Sequence, residues 1–120
     1  MAQNPTPNTQ HPRFGVRSEI RPVEIFGGVF RRTIVWGERA MVVEVSLPKG
    51  SVVPPHSHHH EQCGYLVSGR LEFTVGSVSQ VVEPGGGWAV PGDAVHSVVA
   101  LEDSIAIDVF SPVRDEYKSQ

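Results

Sequence analysis

Apolar and polar residues alternate in short runs along most of the chain. The clearest run is Met41–Leu47, in which every second residue is apolar and the residues between include Glu44 and Ser46. This period of two is typical of a strand with one buried face. Turns that contain glycine or proline separate the runs, for example at 27–28 and 48–50. No segment of ten or more residues has the i, i+3, i+4, i+7 apolar spacing of a helix without a glycine or proline inside it.

The pattern predicts an all-β protein of roughly nine short strands, built as a sandwich or a barrel. The best-defined strands are Val23–Phe26, 31–36, Met41–Leu47, 63–67, 70–75, 96–101 and 105–110. The turn at Ser68-Gly69 predicts a hairpin between two of them.

The length of 120 residues suits a single domain. Residues 1–13 have no apolar side chain after Ala2 and are rich in Asn, Gln, Thr and Pro. We therefore expect an N-terminal arm that becomes ordered only against a neighbouring surface. A second subunit is the first candidate for that surface, so the expected assembly is a homodimer. The domain is assigned to 14–117, followed by a short tail at 118–120.

Composition and charge exclude several classes of function. The net charge of −3 and the absence of a Lys/Arg run give no electrostatic basis for binding nucleic acid. No stretch approaches the roughly 20 apolar residues of a membrane span. The single cysteine, Cys63, cannot form an internal disulfide, and residues 1–13 lack the apolar core of a signal peptide. These features favour the cytoplasm.

Histidines are the unusual part of the composition, because four of the six fall within positions 56–60. His56, His58 and Gln62 lie at even spacings, so in one extended strand they would project from the same face. Glu61 has the opposite parity and would point away, although a bulge near His60 would reverse this choice. This arrangement predicts a metal site with two imidazoles and one further ligand.

Two more histidines of the cluster have different expected roles. His60 has the parity of the ligands and could be a fourth ligand or support the site from behind. His59 lies on the other face, and we expect it to be a solvated surface residue.

The spacing resembles the first motif of the cupin family. The motif's order is met by Gly50, five residues, His56-x-His58, three residues, Gln62, six residues and Gly69, with Gln in the usual Glu position. The second cupin motif is echoed by Gly85, five residues, Pro91 and then His96. Asp93 and Ala100 depart from the usual Gly and Asn. The resemblance implies a single-domain cupin, a jelly-roll-like β-barrel, in which His96 is a third histidine ligand.

A narrower resemblance covers most of 30–117. The runs HSHHHEQ, YLVSGRLEF and ALEDSIAIDVFSPVRDEY resemble the small cupins of the pectin-degradation protein type, although His59 stands where that family often has Pro. The resemblance implies an enzyme that converts 4,5-unsaturated monouronates to the linear keto form, with three His and one Gln on the metal. It also implies that Asp108, Phe110 and Arg114 form the catalytic segment.

The residues themselves agree with that assignment. Asp108 falls in the middle of an apolar strand, where a desolvated carboxylate near a cation is a candidate proton carrier. Arg114 could form a surface ion pair with Asp115 or Glu116, or it could clamp a substrate carboxylate. Phe110 shares the strand face of Asp108.

The remaining aromatic side chains and the cysteine carry no predicted chemistry. We expect Tyr65, Phe73 and Trp88 to pack in the core rather than against a ligand. Cys63 has the opposite parity to Gln62, and we expect a small buried side chain there.

Neutral ligands leave the charge of a divalent ion uncancelled, which favours Lewis-acid chemistry. Nitrogen with one oxygen suits Ni, Zn, Mn, Fe or Co, and the sequence does not choose among them. The expected substrate is a small carboxylate, a sugar acid. Alternatives are a metal-dependent cupin oxygenase, a polyketide-type cyclase or isomerase, and a non-catalytic module that binds a small ligand.

Overall fold

A computed structural model describes residues 12–118 of the protein. Within that range the chain forms ten strands and two single turns of 3-10 helix, at Arg17–Glu19 and Asp115–Tyr117. The strands are β1 (Val23–Phe26), β2 (Val29–Trp36), β3 (Met41–Leu47), β4 (Val52–His56), β5 (Glu61–Ser68), β6 (Leu71–Val75), β7 (Val78–Val82), β8 (Gly87–Val90), β9 (His96–Ala100) and β10 (Ser104–Ser111). None of the described helices is long and apolar enough to cross a membrane.

The strands form two antiparallel sheets, as the all-β prediction requires. The larger sheet has the order β1-β2-β3-β10-β5-β8, and the smaller one has the order β4-β9-β6-β7. Their inner faces enclose the apolar core, with Met41, Leu66 and Leu71 among its fully buried side chains. Truncating a side chain of this kind to alanine costs about 2–5 kcal/mol, so the core holds the two sheets together firmly enough to fix the residues between them.

Strand β10 shows how the alternation of the sequence becomes two distinct faces. Ala106, Asp108 and Phe110 are buried, whereas Ile107 and Val109 lie on the outer face and are partly exposed. A carboxylate is therefore carried into the interior by a strand whose neighbours on the same face are apolar.

Two expectations about β5 are wrong, and both have the same cause. Tyr65 is 53% exposed and Cys63 is exposed, although both were expected to be buried. The two residues lie on the outer face of the larger sheet, and no described part of the chain packs over them. The parity predicted for Cys63 relative to Gln62 was correct, but a residue that points away from one core needs a second layer to be buried.

The C-terminal 3-10 turn is fastened to β2 at the rim of the barrel. The hydroxyl of Thr33 and the guanidinium of Arg31 both donate hydrogen bonds to the carbonyl oxygen of Tyr117. The Arg31 guanidinium also lies 4.6 Å from the centre of the Tyr117 ring. These contacts bring Arg114 and Tyr117 over the space between the sheets, so the end of the chain closes part of the barrel mouth.

The predicted domain limits are matched by the described residues only in part. Residues 14–117 lie within one unit of two packed sheets. The first eleven residues of the predicted arm and residues 119–120 of the predicted tail lie outside the described range. The arm's attachment to a second subunit therefore stays a prediction.

Candidate metal and substrate site

Three histidines meet between the two sheets. His56 ends β4 and lies directly opposite His96, the first residue of β9. His58 comes from the link between β4 and β5. One ring nitrogen of each of the three lies within 4.8 Å of the others, so the fold gathers three potential ligands for one ion.

The other ring nitrogen of each of these histidines faces a backbone carbonyl. Nδ1 lies 2.9 Å from the Pro54 oxygen for His56, 3.1 Å from the His60 oxygen for His58 and 2.9 Å from the Ala94 oxygen for His96. A carbonyl oxygen only accepts, so Nδ1 carries the proton and the Nε2 lone pair is free in the neutral ring. Such contacts orient metal-binding histidines.

Gln62 presents an oxygen to the same place. Its Oε1 lies 3.2 Å from Nε2 of His58, so two atoms with lone pairs face each other. The Gln62 side chain also hydrogen-bonds the Asp108 carboxylate, which accepts, so the amide nitrogen faces Asp108 and the oxygen faces His58. A cation between Oε1 and Nε2 would turn this unfavourable pair into two coordination bonds.

Burial keeps His58 and His96 neutral and ready to coordinate. It lowers the pKa of His58 to about 4, with Arg114 nearby as the second cause. Burial also lowers the pKa of His96, and the buried Nε2 of His96 has no hydrogen-bond partner among the described residues. A buried polar atom without a partner is costly. The residues present therefore fit a divalent transition-metal ion.

The strand assumed in the prediction of these ligands is interrupted. β4 ends at His56 and β5 begins at Glu61, with His58 in the link. Gln62 still points inward because β5 alternates by itself, with Glu61 exposed and Gln62 buried. The choice of Gln62 over Glu61 thus agrees with the orientation of both side chains, and their roles as ligand and non-ligand stay predictions.

The neighbouring histidines lie outside the three-histidine cluster. His59 is exposed, as expected of a surface residue. His60 is buried, and its Nδ1 has no hydrogen-bond partner in the described part of the chain. Its ring centre lies 5.4 Å from that of His58, so it packs behind the cluster.

Asp108 occupies the wall of the larger sheet beside Gln62. It faces Gly64 on β5, while Phe110 faces Gln62, so Asp108 and Gln62 are diagonal neighbours on one face. The Nε1–H group of Trp88 donates a 2.8 Å hydrogen bond to its Oδ1. Burial raises the pKa of Asp108 to about 6, and the hydrogen bonds from Gln62 and Trp88 oppose that rise. The carboxyl group can therefore both give and take a proton near neutral pH.

Arg114 lies at the mouth, with its guanidinium against two aromatic rings. The ring centres of Tyr117 and Phe110 lie 4.1 Å and 5.2 Å from its Cζ atom. Its Nε donates a 2.9 Å hydrogen bond to Glu116. The surface ion pair considered from the sequence is thus present, yet the Arg114 side chain is only 14% exposed and lines the cavity.

Phe110 separates the histidines from the arginine. Its ring meets His58 edge to face at 5.7 Å and meets Tyr117 in the same way at 5.7 Å. The ring supplies an apolar wall between the proposed metal ligands and the guanidinium.

Two residues of the site were missed by the sequence reasoning. Trp88 was expected to be core, but it donates to Asp108 and lines the cavity. Tyr117 received no role, yet its ring packs on Arg114 and burial raises the pKa of its hydroxyl. The available signals were the polar N–H of a tryptophan on an apolar strand and the spacing of Tyr117 three residues after Arg114.

A cavity of about 60 Å³ lies between the sheets, and most side chains of the site line it. His56, His96 and Gln62 lie on its wall together with Asp108 and Arg114. The cavity therefore places a set of cation ligands, a proton carrier and a fixed positive charge around one space, which is an arrangement suited to a small anionic ligand.

The two motifs, the antiparallel barrel and the three-histidine cluster define the class of protein: the chain belongs to the cupin family. The cupin domain model matches residues 43–110. Within the family, the chain is similar to the pectin degradation protein KdgF of Dickeya dadantii, with 31% identity over 107 residues that cover 88% of this chain and 97% of that protein. The resemblance to the pectin-degradation type is thereby confirmed.

Solved structures give the same result. The chain resembles KdgF from Halomonas sp. at 34% identity and a TM-score of 0.82, covering 87% of this chain and 98% of that one. An RmlC-like cupin from Shewanella frigidimarina resembles it at 30% identity and a TM-score of 0.82, over 87% of this chain and 94% of that one. These likenesses span the whole barrel, so the expected fold class is confirmed.

Proposed function

We propose that this cupin is an enzyme that converts 4,5-unsaturated monouronates, the products of pectin and alginate breakdown, into the linear keto form. The observation that carries the proposal is that His56, His96, Gln62, Asp108 and Arg114 line one cavity. The similarity to KdgF along nearly the full length of both chains supports it.

We assign substrate binding to Arg114. Its Nε is engaged by Glu116, which leaves the terminal nitrogens of the fork to receive a carboxylate in two parallel hydrogen bonds. The flat contact with Tyr117 holds the guanidinium plane in place. Arg114 thereby fixes the negative end of a uronate with its ring directed toward the histidines.

We assign proton transfer to Asp108. Ring opening breaks the bond between the anomeric carbon and the ring oxygen. The anomeric hydroxyl loses its proton and becomes an aldehyde, and the ring oxygen gains a proton and becomes an enol on the former ring carbon. Conversion to the ketone then moves a proton from the enol oxygen to the adjacent carbon. A carboxyl group with a pKa of about 6 can accept the first proton and return one to carbon without being trapped in either state.

The proposed ligands His56, His58, His96 and Gln62 would hold one divalent ion, Ni, Zn, Mn, Fe or Co. When bound, the ion supplies polarisation of a substrate oxygen, and four neutral ligands leave its charge available for that purpose. Phe110 keeps water from the space between these ligands and Arg114.

The test is turnover of a monouronate that a polyuronate lyase has released. We expect the purified, metal-loaded protein to speed the loss of the unsaturated chromophore, with the linear keto acid identified by NMR. A rate equal to the spontaneous one would contradict the proposal. Oxygen uptake during the reaction would point to an oxygenase, and saturable binding without turnover would point to a ligand-binding module.

We further propose that the protein is a homodimer. The outer face of the larger sheet carries a row across four strands, Val42, Val109, Cys63 and Ala89, which face one another in register. Val109 is 37% exposed, and apolar faces of this kind mark interfaces. Light scattering should give twice the chain mass, and Val109→Glu should give monomers. A wild-type monomer at micromolar concentration would contradict the assignment.

The proposed compartment is the cytoplasm. Cys63 is exposed and forms no disulfide with any described residue, as is usual where thiols stay reduced. Fractionation of cells that produce the native chain would test this, and recovery of the protein outside the cytoplasm would contradict it.

A further inference from the structure

Asp108, Gly64 and Trp88 form a row across three neighbouring strands. Asp108 on β10 pairs with Gly64 on β5, and Gly64 pairs with Trp88 on the edge strand β8. Residues directly opposite one another in an antiparallel sheet point to the same face. The carboxylate and the indole therefore both point into the barrel, two strands apart, with a glycine between them.

The missing side chain at Gly64 lets the indole reach the carboxylate. A Cβ atom placed on Gly64 would overlap Nε1, Cε2 and Cζ2 of Trp88. The ring thus lies across the Gly64 backbone, where an alanine could not be accommodated without moving it. In this position Nε1–H donates the 2.8 Å hydrogen bond to Oδ1 of Asp108.

The indole is held from the other side by the smaller sheet. Phe73 on β6 stacks on it with ring centres 4.8 Å apart and planes 23° apart. β8 is the edge of the larger sheet, so no strand beyond it supports Trp88. The contacts with Phe73, the Gly64 backbone and Asp108 are what fix the ring.

We propose that Trp88 is a positioning residue, which holds the Asp108 carboxyl group in its reactive orientation through a bond that Gly64 makes possible. The inference rests on the proposed function, because Asp108 is the proposed proton carrier. Trp88 occupies Oδ1 and, together with the hydrogen bond from Gln62, keeps the carboxylate from rotating. Proton transfer depends on such alignment.

Kinetic tests compare Trp88→Phe, which keeps a ring but removes the N–H donor, with Trp36→Phe as the matched control. Loss of one hydrogen bond to a charged group should lower kcat roughly ten- to hundredfold, with KM within about twofold because Arg114 is untouched. Trp36→Phe should leave both unchanged. A raised KM with unchanged kcat would overturn the proposal and make Trp88 a substrate contact.

Gly64→Ala tests whether the missing side chain at Gly64 makes the bond possible, because it displaces the indole and leaves its N–H group chemically unchanged. It should lower kcat about as much as Trp88→Phe does, and the double variant should be no slower than either single one, because both changes remove the same bond. Gly27→Ala is the control, since a Cβ at Gly27 meets nothing within 4 Å. Multiplicative losses in the double variant would overturn the shared mechanism.

A spectroscopic test separates this inference from the proposed reaction. The chain has two tryptophans, so ¹⁵N-labelled indole gives two signals, which Trp36→Phe assigns. The Trp88 N–H should exchange slowly with solvent in the wild type and faster in Asp108→Ala and Gly64→Ala. If the wild type turns over no uronate, slow exchange still supports the bond. If exchange is equally fast in all three proteins, the inference is wrong even in an active enzyme.

Discussion

The two walls of the cavity differ in what they are built to face. The smaller sheet contributes His56 and His96, whose Nδ1 contacts leave Nε2 lone pairs directed at one place. The larger sheet contributes Asp108, a buried acid on β10. Arg114, which follows β10 in sequence, adds a fixed positive charge. One wall presents potential ligands for a cation, and the other presents an acid and a positive charge that would suit an anionic ligand.

Gln62 is the residue at which the two walls meet. It belongs to the larger sheet, yet its oxygen lies 3.2 Å from His58 while its amide group hydrogen-bonds Asp108. A Glu in its place would put a second negative charge beside Asp108 and oppose its ionisation. The neutral amide lets one side chain serve both walls, which is a physical reason for Gln where cupins usually have Glu.

The largest effect is expected on the histidine wall. His96→Ala removes a buried ligand whose Nε2 has no other partner among the described residues. We expect metal affinity to fall by at least about a hundredfold, since even residues that only support a ligand are worth 10- to 100-fold. Metal content after gel filtration, measured by mass spectrometry, checks this and also identifies the ion.

His59→Ala is the matched control for that experiment. It removes an exposed histidine that belongs to the sequence run 56–60 but lies outside the three-histidine cluster, so metal content should stay at one ion per chain. Equal metal retention in the two variants would show that the three-histidine wall is not the metal site. Circular dichroism separates loss of the ion from loss of the fold.

The second effect is expected on the acid wall. Asp108→Asn keeps an oxygen for the Trp88 N–H group but cannot take a proton. We expect kcat to fall about 10²- to 10⁴-fold, the usual worth of a general acid or base, with metal content unchanged. Unchanged turnover in a protein that retains its metal would end the assignment of Asp108.

The difference between the walls also explains what the sequence could predict. His56, His58 and Gln62 lie within seven residues, so motif spacing was enough to group them, although the single strand that the parity argument assumed is interrupted at His58. The row from Asp108 to Trp88 is assembled by pairing of strands that are distant in sequence, Asp108 with Gly64 and Gly64 with Trp88, and by the missing side chain at Gly64. No local pattern encodes that pairing, and an indole expected in the core gives no sign of the partner its N–H will find.

The same reasoning applies to the outer surface. Alternation placed Cys63 opposite to Gln62 correctly, but it could not tell whether a second layer covers this face. Burial on the far face of a sheet depends on what packs there, and within residues 12–118 nothing does. Period-two patterns fix the direction of a side chain, whereas its exposure depends on tertiary or quaternary packing.

A smaller effect is expected at the rim of the acid wall. Arg114→Lys keeps the charge but loses the planar fork and the flat contact with Tyr117. KM for the uronate should rise about tenfold, with kcat changed by less than about threefold, in steady-state kinetics. Glu116→Gln keeps an oxygen that can accept from Nε but removes the negative charge beside the guanidinium. It leaves the fork intact, and it should raise KM less. A larger fall in kcat than rise in KM would place Arg114 at the proton transfer instead.

The last expected effect is a pH-dependent cost in stability that only the acid wall should show. Burial raises the pKa of Asp108 from its ordinary 3.8 to about 6. Below pH 3.8 the group is protonated in both states, and between pH 3.8 and 6 only the folded state keeps the proton. As the pH rises from 3.8 to 6, the unfolding free energy of the metal-free wild type should therefore fall by about 3 kcal/mol relative to that of Asp108→Asn. Above pH 6 this difference should not grow further. Urea unfolding of both proteins after chelation, from pH 4 to 8, measures the difference, with the exposed Glu72→Gln as the control for loss of a carboxylate. A difference that stays constant across the window would mean that the acid wall is solvated in solution, and the contrast between the two walls would then be wrong.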